Sequence, residues 1–145
     1  MINPKVWGKH GWVFLHLVSL SYPENPSNKE KKNFKQFFEL LQDILPCEVC
    51  QDNYKDHLNK YPLSDNVFQS KENLVNWLID IHNCVNKMNN SKIYNYDEAT
   101  QILKQIQQKN LQQCNPTIKT QQNYFLLVII AICIIIIYYL LSKKK

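Results

Sequence analysis

Residues 70–88, SKENLVNWLIDIHNCVNKM, carry the clearest helical pattern in the chain. Ser70 precedes the pattern as a helix-capping residue, and apolar side chains then recur at three- and four-residue spacing. This apolar stripe consists of Leu74, Trp77, Leu78, Ile81 and Val85. A repeat near 3.6 residues predicts an amphipathic helix that packs one face against a core.

The remaining segments repeat this pattern, and none alternates with the period of a strand. The sequence predicts further helices from Pro4 to about residue 21, over 29–45, from 47 to about 60, and from 96 to about 110. The faces expected to point inward are Phe34, Phe37, Phe38, Leu41, Ile44 and Leu45, and later Ala99, Ile102, Leu103 and Ile106. The prediction is an all-α domain over residues 1–110. The polar residues 111–123 contain Pro116 and read as a linker.

Residues 124–141, YFLLVIIAICIIIIYYLL, form a run of 18 residues without a charge. A helix of that length reaches about 27 Å, close to the thickness of a hydrocarbon core. A core helix buried in protein is the alternative, but the run has no polar face. We therefore expect a single C-terminal transmembrane helix, followed by a basic tail at 142–145. No signal peptide is recognisable, so a tail anchor would leave the rest of the chain on the cytosolic side.

Composition excludes several kinds of nucleotide and nucleic-acid site. The chain has 2 Gly, at Gly8 and Gly11, so it holds neither a Rossmann turn nor a glycine-rich phosphate loop. All 17 basic residues are lysines. Because arginine provides the planar fork that reads guanine edges, its absence weighs against sequence-specific nucleic-acid binding.

Cys47-Glu48-Val49-Cys50 follows Pro46 directly, at the expected start of a helix. The spacing places both sulfurs on one face, and a helix N-terminus lowers the pKa of a thiol. Such a pair suits a dithiol/disulfide centre. A structural zinc site, completed by His57 or His82, and a thioredoxin-like centre are the alternatives. Zinc normally requires two such pairs, and no strands support a thioredoxin-like fold.

Two further groups of side chains could hold a ligand. His82, Asn83 and Asn86 lie on one polar strip of the predicted helix, and Trp12 and His16 lie four residues apart on the first helix. Their amide, imidazole and indole groups suit the donors and acceptors of a nucleotide. Each group alone also fits an ordinary packing or capping role.

The ordered set of motifs resembles the Erv/ALR family of FAD-linked sulfhydryl oxidases, and most of all its short forms from large DNA viruses. The matching residues are Asn3-Pro4-Lys5-x-Trp7-Gly8-x-x-x-Trp12, Leu15-His16, Tyr22-Pro23, Leu45-Pro46-Cys47-x-x-Cys50 and His82-Asn83-x-Val85-Asn86. The resemblance implies a four-helix bundle with a short fifth helix. It also implies that FAD is held at one end of the bundle without a Rossmann turn.

The resemblance assigns roles to individual residues. Cys47 and Cys50 would be the redox-active disulfide, with Cys47 taking electrons from a dithiol and Cys50 facing the flavin. The cofactor-binding residues would be Gly8, Trp12, His16, His82, Asn83, Asn86 and Lys92, and no metal site is expected. Lys92 would replace the family's usual lysine, whose position is occupied here by Ser91.

The implied activity passes electrons from thiols through the cysteine pair and FAD to O₂, which yields hydrogen peroxide. The expected partners are protein thiols or a thioredoxin-like dithiol carrier, the membrane through residues 124–141, and a second copy in a homodimer. The expected location is a membrane, with the catalytic domain on the cytosolic side or inside a virion. The departure at Ser91 motivates one alternative, a catalytically inactive, tail-anchored membrane or virion structural protein.

Overall fold

A computed structural model describes residues 1–114, 124–134 and 136 of the chain. The five α-helices of the first range are α1 (Pro4–Leu20), α2 (Asn28–Ile44), α3 (Glu48–Lys60), α4 (Lys71–Met88) and α5 (Tyr96–Cys114). A short 3-10 helix, Asp65–Phe68, lies between α3 and α4. No residue in the described ranges is in a strand. The all-α prediction is confirmed.

Local capping explains where these helices begin. Asn3 accepts a hydrogen bond from the Lys5 N–H at 2.9 Å beside Pro4, and Ser70 accepts one from the Asn73 N–H at 3.1 Å. Ser27 and Glu30 form a reciprocal capping box at the start of α2. Each cap satisfies backbone N–H groups that have no partner inside the helix.

The core lies where α1 packs against α4, α2 against α3, and the 3-10 helix against α4. Its centre is formed by large side chains that are almost fully buried: Tyr22, Phe38, Phe68, Leu74, Leu78 and Ile81. The hydroxyl groups of two buried tyrosines donate hydrogen bonds to backbone carbonyls. The Tyr22 hydroxyl donates to the Phe68 carbonyl at 2.8 Å, and the Tyr54 hydroxyl donates to the Phe38 carbonyl at 2.9 Å. The first bond joins the segment after α1 to the 3-10 helix, and the second joins α3 to α2.

Two of the side chains expected to point inward are exposed instead. Ile44 is 58% exposed and Ile102 is 41% exposed. Each residue turns a helix by about 100°, which places both side chains at the edge of their apolar stripes. The buried centres of those stripes are Phe38 and Leu41 on α2 and Leu103 on α5.

The chain divides into two compact units, Met1–Leu103 and Lys104–Lys145, and the predicted domain over residues 1–110 stays a prediction. Helix α5 continues to Cys114, so the first four residues of the predicted 111–123 linker are helical. The glutamines there are good helix formers. Residues 115–123 lie outside the described residues.

Residues 124–134 are helical, and their apolar side chains, from Tyr124 to Ile134, are exposed within the described part of the chain. None of the helices described is both long and apolar enough to cross a bilayer. Residues 135 and 137–145 lie outside the described ranges, and they include the end of the predicted 124–141 span and the basic tail. The transmembrane span therefore stays a prediction.

Candidate functional site

Cys47 and Cys50 form a disulfide at the start of α3, with their Cα atoms 5.1 Å apart. Cys47 is the capping residue of this helix, and its Sγ accepts a hydrogen bond from the Cys50 N–H at 3.2 Å. Cys47 is 9% exposed, and Cys50 is half-buried. After reduction, the free N–H groups and the dipole of the first turn would stabilise a thiolate here.

Hydrogen bonds from the segment before α1 and from α3 hold the turn that carries this disulfide. The Ile2 N–H, just before α1, donates to the Pro46 carbonyl at 2.8 Å. The Gln51 side-chain amide, on α3, donates to the Leu45 carbonyl at 2.7 Å and to the Asp43 carbonyl at 3.1 Å. The backbone around the cysteines is therefore fixed before any substrate arrives.

Trp12, His16 and His82 come together where α1 packs against α4. The rings of Trp12 and His82 are stacked, with centroids 3.9 Å apart and planes 9° apart. His16 Nε2 lies 3.0 Å from His82 Nδ1. Three residues that the sequence placed in two separate groups thus form one aromatic cluster, which we call the Trp–His–His cluster.

A hydrogen bond between two imidazoles requires one ring to donate and the other to accept, so this geometry favours neutral rings. Burial and, as the smaller cause, the neighbouring His82 together lower the pKa of His16 to about 4. Burial also lowers the pKa of His82 to about 4. His16 Nδ1 is buried and has no hydrogen-bond partner among the described residues. The cluster thus holds an unused polar atom beside flat aromatic surface.

Asn83 joins α4 to the segment that precedes α5. Its side-chain amide donates to the Tyr94 carbonyl at 2.8 Å, and its side-chain oxygen accepts from the Tyr94 N–H at 3.1 Å. Lys92, in the same segment, pairs with Glu98 at 3.2 Å and lies over the Tyr94 ring at 4.8 Å. Asn86 accepts the Ser91 N–H through its backbone carbonyl at 2.8 Å. Ligand contacts by Asn83, Asn86 and Lys92 stay predictions.

Helix α1 connects the two parts of the candidate site. It begins beside the disulfide turn, and Trp12 follows eight residues after Pro4, or about 12 Å along the helix. Gly8 lies between them on the same face as Trp12. A Cβ atom added at Gly8 would meet no atom within 4 Å. An elongated ligand with one end at the disulfide could therefore lie along α1 and reach the Trp–His–His cluster.

Gly11 is a structural requirement that the sequence analysis did not identify. A Cβ atom there would lie 3.0 Å and 3.2 Å from ring carbons of Trp7. The i, i+4 spacing of Trp7 and Gly11 was the available signal, since it places both residues on one helix face.

The described residues contain no cluster of side chains that fits the zinc alternative. No group of three or more His, Cys, Asp or Glu side chains there could hold a metal ion. His82 is hydrogen-bonded to His16 in the Trp–His–His cluster. His57 is buried near the end of α3, where burial lowers its pKa, and its Nε2 has no partner among the described residues.

Comparisons with known proteins match most of the first unit. The model of the Erv1 / Alr family matches residues 9–108. A probable FAD-linked sulfhydryl oxidase of Acanthamoeba polyphaga mimivirus is 48% identical over 102 residues, which cover 70% of this chain and 71% of that protein. The FAD-linked sulfhydryl oxidase ERV1 of Arabidopsis thaliana is 35% identical over 80 residues, but they span 55% of this chain and only 40% of that protein.

Solved structures share the same helical arrangement. The crystal structure of the FAD binding domain of Erv1 from Saccharomyces cerevisiae superposes with a TM-score of 0.65 at 26% identity. The superposition covers 72% of this chain and 97% of that domain.

Proposed function

Since this chain belongs to the Erv1/Alr family, we propose that it is an FAD-dependent sulfhydryl oxidase that forms disulfides in protein substrates. The observation that carries the proposal is the Cys47–Cys50 disulfide, held at the start of a helix by hydrogen bonds from both sides. A disulfide in that setting is suited to accept electrons from thiols, because its reduced form is stabilised as a thiolate.

The residues around α1 fit the cofactor. Trp12 and His82 present parallel flat rings, which suit stacking against a flat ring system. Gly8 leaves open space on the same helix, and His16 Nδ1 is a buried polar atom without a partner in the described part of the chain. We propose that these residues hold FAD together with Asn83 and Asn86, and that Lys92 supplies a cation for its phosphates.

Substrate oxidation is a thiol–disulfide exchange. A substrate thiolate attacks one sulfur of the disulfide, forms a mixed disulfide with it, and releases the other cysteine as a thiolate. A second substrate thiolate then attacks the substrate sulfur of the mixed disulfide. The products are a substrate disulfide and a reduced Cys47/Cys50 pair. In forming their disulfide again, Cys47 and Cys50 would give up two electrons and two protons; the chemistry that FAD would supply when bound is two-electron transfer to O₂, which yields hydrogen peroxide.

The protein's own contribution is to fix the turn and to stabilise the released thiolate. The Cys50 N–H already points at Cys47 Sγ, so a Cys47 thiolate released in the second exchange would keep a hydrogen-bond donor. We propose, from the family resemblance, that the mixed disulfide forms at Cys47. Mass spectrometry of the Cys50→Ser variant incubated with an oxidised peptide should find the peptide attached at Cys47. Faster labelling of Cys50 in the Cys47→Ser variant would reverse the assignment.

The activity is tested with the purified full chain. We expect a yellow protein with flavin absorbance that consumes oxygen when a dithiol is added, and loss of that turnover in Cys50→Ser. Cys84→Ala is the matched control, because Cys84 is a free, half-buried cysteine outside the disulfide. A flavin-loaded protein without dithiol turnover would favour the inactive structural alternative, and a colourless protein would contradict the proposal.

Membrane attachment and assembly complete the proposal. The uncharged run at 124–141 supports a tail anchor that leaves the redox unit on the cytosolic side or inside a virion.

Exposed apolar side chains on α1 and α2, among them Val6 at 70%, Phe14 at 57% and Leu40 at 52%, support a homodimer. Sedimentation of the protein at several concentrations tests the dimer, and a single monomeric species would argue against it.

A further inference from the structure

A lysine-rich groove lies between the first half of α2 and the 3-10 helix. It encloses about 410 Å³, and its walls include Lys31, Lys32 and Lys35 of α2 and Asp65 of the 3-10 helix. Phe68, which is 2% exposed, also lines it. Lys31 and Lys35 are half-buried, and Lys32 is exposed.

The lysine charges of this groove are uncompensated. Lys31 and Lys35 are four residues apart and Lys32 and Lys35 are three apart, so the three side chains repel one another on one side of the helix. Lys31 also lies at the end of the first turn of α2, where the helix dipole disfavours a cation. Among the described residues none of the three forms an ion pair.

Two acidic side chains near the start of α2 are already engaged. Glu30 accepts hydrogen bonds from the Ser27 N–H and hydroxyl as part of the capping box, and these bonds lower its pKa. Glu24 pairs with Lys71 at 2.7 Å. Asp65 is the one carboxylate on the wall of the groove, against three ammonium groups. An anion with two negative charges would balance the remaining charge.

From this arrangement we propose that the groove between α2 and the 3-10 helix binds a phosphomonoester. A phosphate dianion matches the excess of two positive charges, and lysine is a regular ligand of phosphate. Asp65 can accept a hydrogen bond from a hydroxyl on the same ligand. A groove of this volume lies within the range of small-molecule sites. The same chemistry occurs in soluble sugar phosphates and in the headgroup of phosphatidic acid.

This site is separate from the redox site. The disulfide follows the C-terminal end of α2, and Lys35 lies nine residues before Ile44, or about 14 Å along the helix. The proposal therefore does not depend on the oxidase activity. The FAD-loaded full chain is the suitable sample, because a filled cofactor site cannot compete for the phosphate probe.

The test adds glycerol phosphate to the FAD-loaded full chain in nonionic detergent. Amide NMR signals of residues 28–35 and 65–69 should shift, and phosphorus NMR should report the bound probe directly. Lys31→Gln/Lys35→Gln should weaken binding by roughly tenfold or more, since charged hydrogen bonds are lost. Lys5→Gln/Lys9→Gln is the matched control, with the same spacing on α1 and the same loss of charge, and it should bind as the parent does.

Vesicle flotation distinguishes the two sources of the phosphate. Phosphatidylcholine vesicles with and without phosphatidic acid are compared, so that any insertion of the tail is common to both. If phosphatidic acid increases the fraction of protein that floats, and only Lys31→Gln/Lys35→Gln abolishes that increase, the proposal is supported and the ligand is a lipid headgroup. Binding of glycerol phosphate without that gain would support a soluble ligand. The proposal would be overturned if neither probe bound, or if both double variants lost binding equally.

Discussion

His16 and His82 are the residues in which burial, hydrogen bonding and ring stacking constrain one another most tightly. Their facing nitrogens are 3.0 Å apart, and Trp12 stacks on the His82 ring. A second proton on the accepting ring would remove the acceptor of this hydrogen bond, and a second proton on either ring would place a charge in a buried site. The cluster therefore requires neutral histidines, which gives the folded protein a defined response to pH.

We predict that the flavin-free protein loses stability as the pH falls from about 6.5 to about 4. Both histidines have a folded-state pKa of about 4, against about 6.5 in the unfolded chain, so only the unfolded state takes up protons in this window. The stabilisation is complete above pH 6.5, and the loss is on the order of a few kcal/mol. Urea unfolding at several pH values measures it.

His16→Gln should flatten this pH dependence, because it removes one member of the hydrogen-bonded pair. His10→Gln is the control, since His10 is an exposed histidine on the same helix. An equal slope in the parent and in His16→Gln would show that the pair does not govern acid stability.

The two glycines of α1 should respond oppositely to alanine. Ala exceeds Gly in helix stability by about 1 kcal/mol, and Gly8 has open space for a Cβ atom. Gly8→Ala should therefore raise the free energy of unfolding of the flavin-free protein while weakening FAD binding. Gly11→Ala should raise the free energy of unfolding only slightly or should lower it, because the added Cβ atom would press on the Trp7 ring. Urea unfolding and a flavin titration measure both effects, and equal gains at the two positions would contradict the prediction.

At the scale of helices, the features that could be predicted from sequence are those with local causes. Pro4 and Ser70 begin helices through contacts within their own first turns, and apolar periodicity fixed the extent of α2 and α4 to within a few residues. The stacking of Trp12 on His82 and the bonds of Asn83 to Tyr94 depend on packing between helices. Spacing alone does not encode such contacts, so the role of Asn83 in the chain's own architecture was not predicted.

Asn83→Ala should destabilise the protein by about 1–2 kcal/mol, because both backbone groups of Tyr94 lose their partner. Asn76→Ala is the matched control: Asn76 is half-buried on the same helix and makes no side-chain hydrogen bond within the described residues. Hydrogen exchange adds a local readout, since the Tyr94 amide should exchange faster in Asn83→Ala alone. Unchanged protection of that amide would show that other contacts hold the α4–α5 connection.

At the scale of the whole molecule, the residues proposed for the redox site and the run proposed as a membrane anchor lie in different parts of the chain. Every residue assigned to the redox site, from Gly8 to Lys92, lies in the unit Met1–Leu103. The uncharged run at 124–141 lies in the other unit. If the run serves only to anchor the protein, the oxidase activity measured on a small dithiol should not depend on it.

We therefore predict that a chain ending at residue 123 oxidises dithiothreitol as fast as the full chain but no longer floats with phosphatidylcholine vesicles. In the full chain, Ile130→Lys should also reduce flotation, because a lysine at the centre of a membrane helix costs about 3 kcal/mol. Ser142→Lys adds the same charge beyond the apolar run and is the matched control, with flotation unchanged. If Ile130→Lys and the parent float equally, the run does not enter the bilayer. If truncation removes the dithiol activity, the two units are coupled in catalysis.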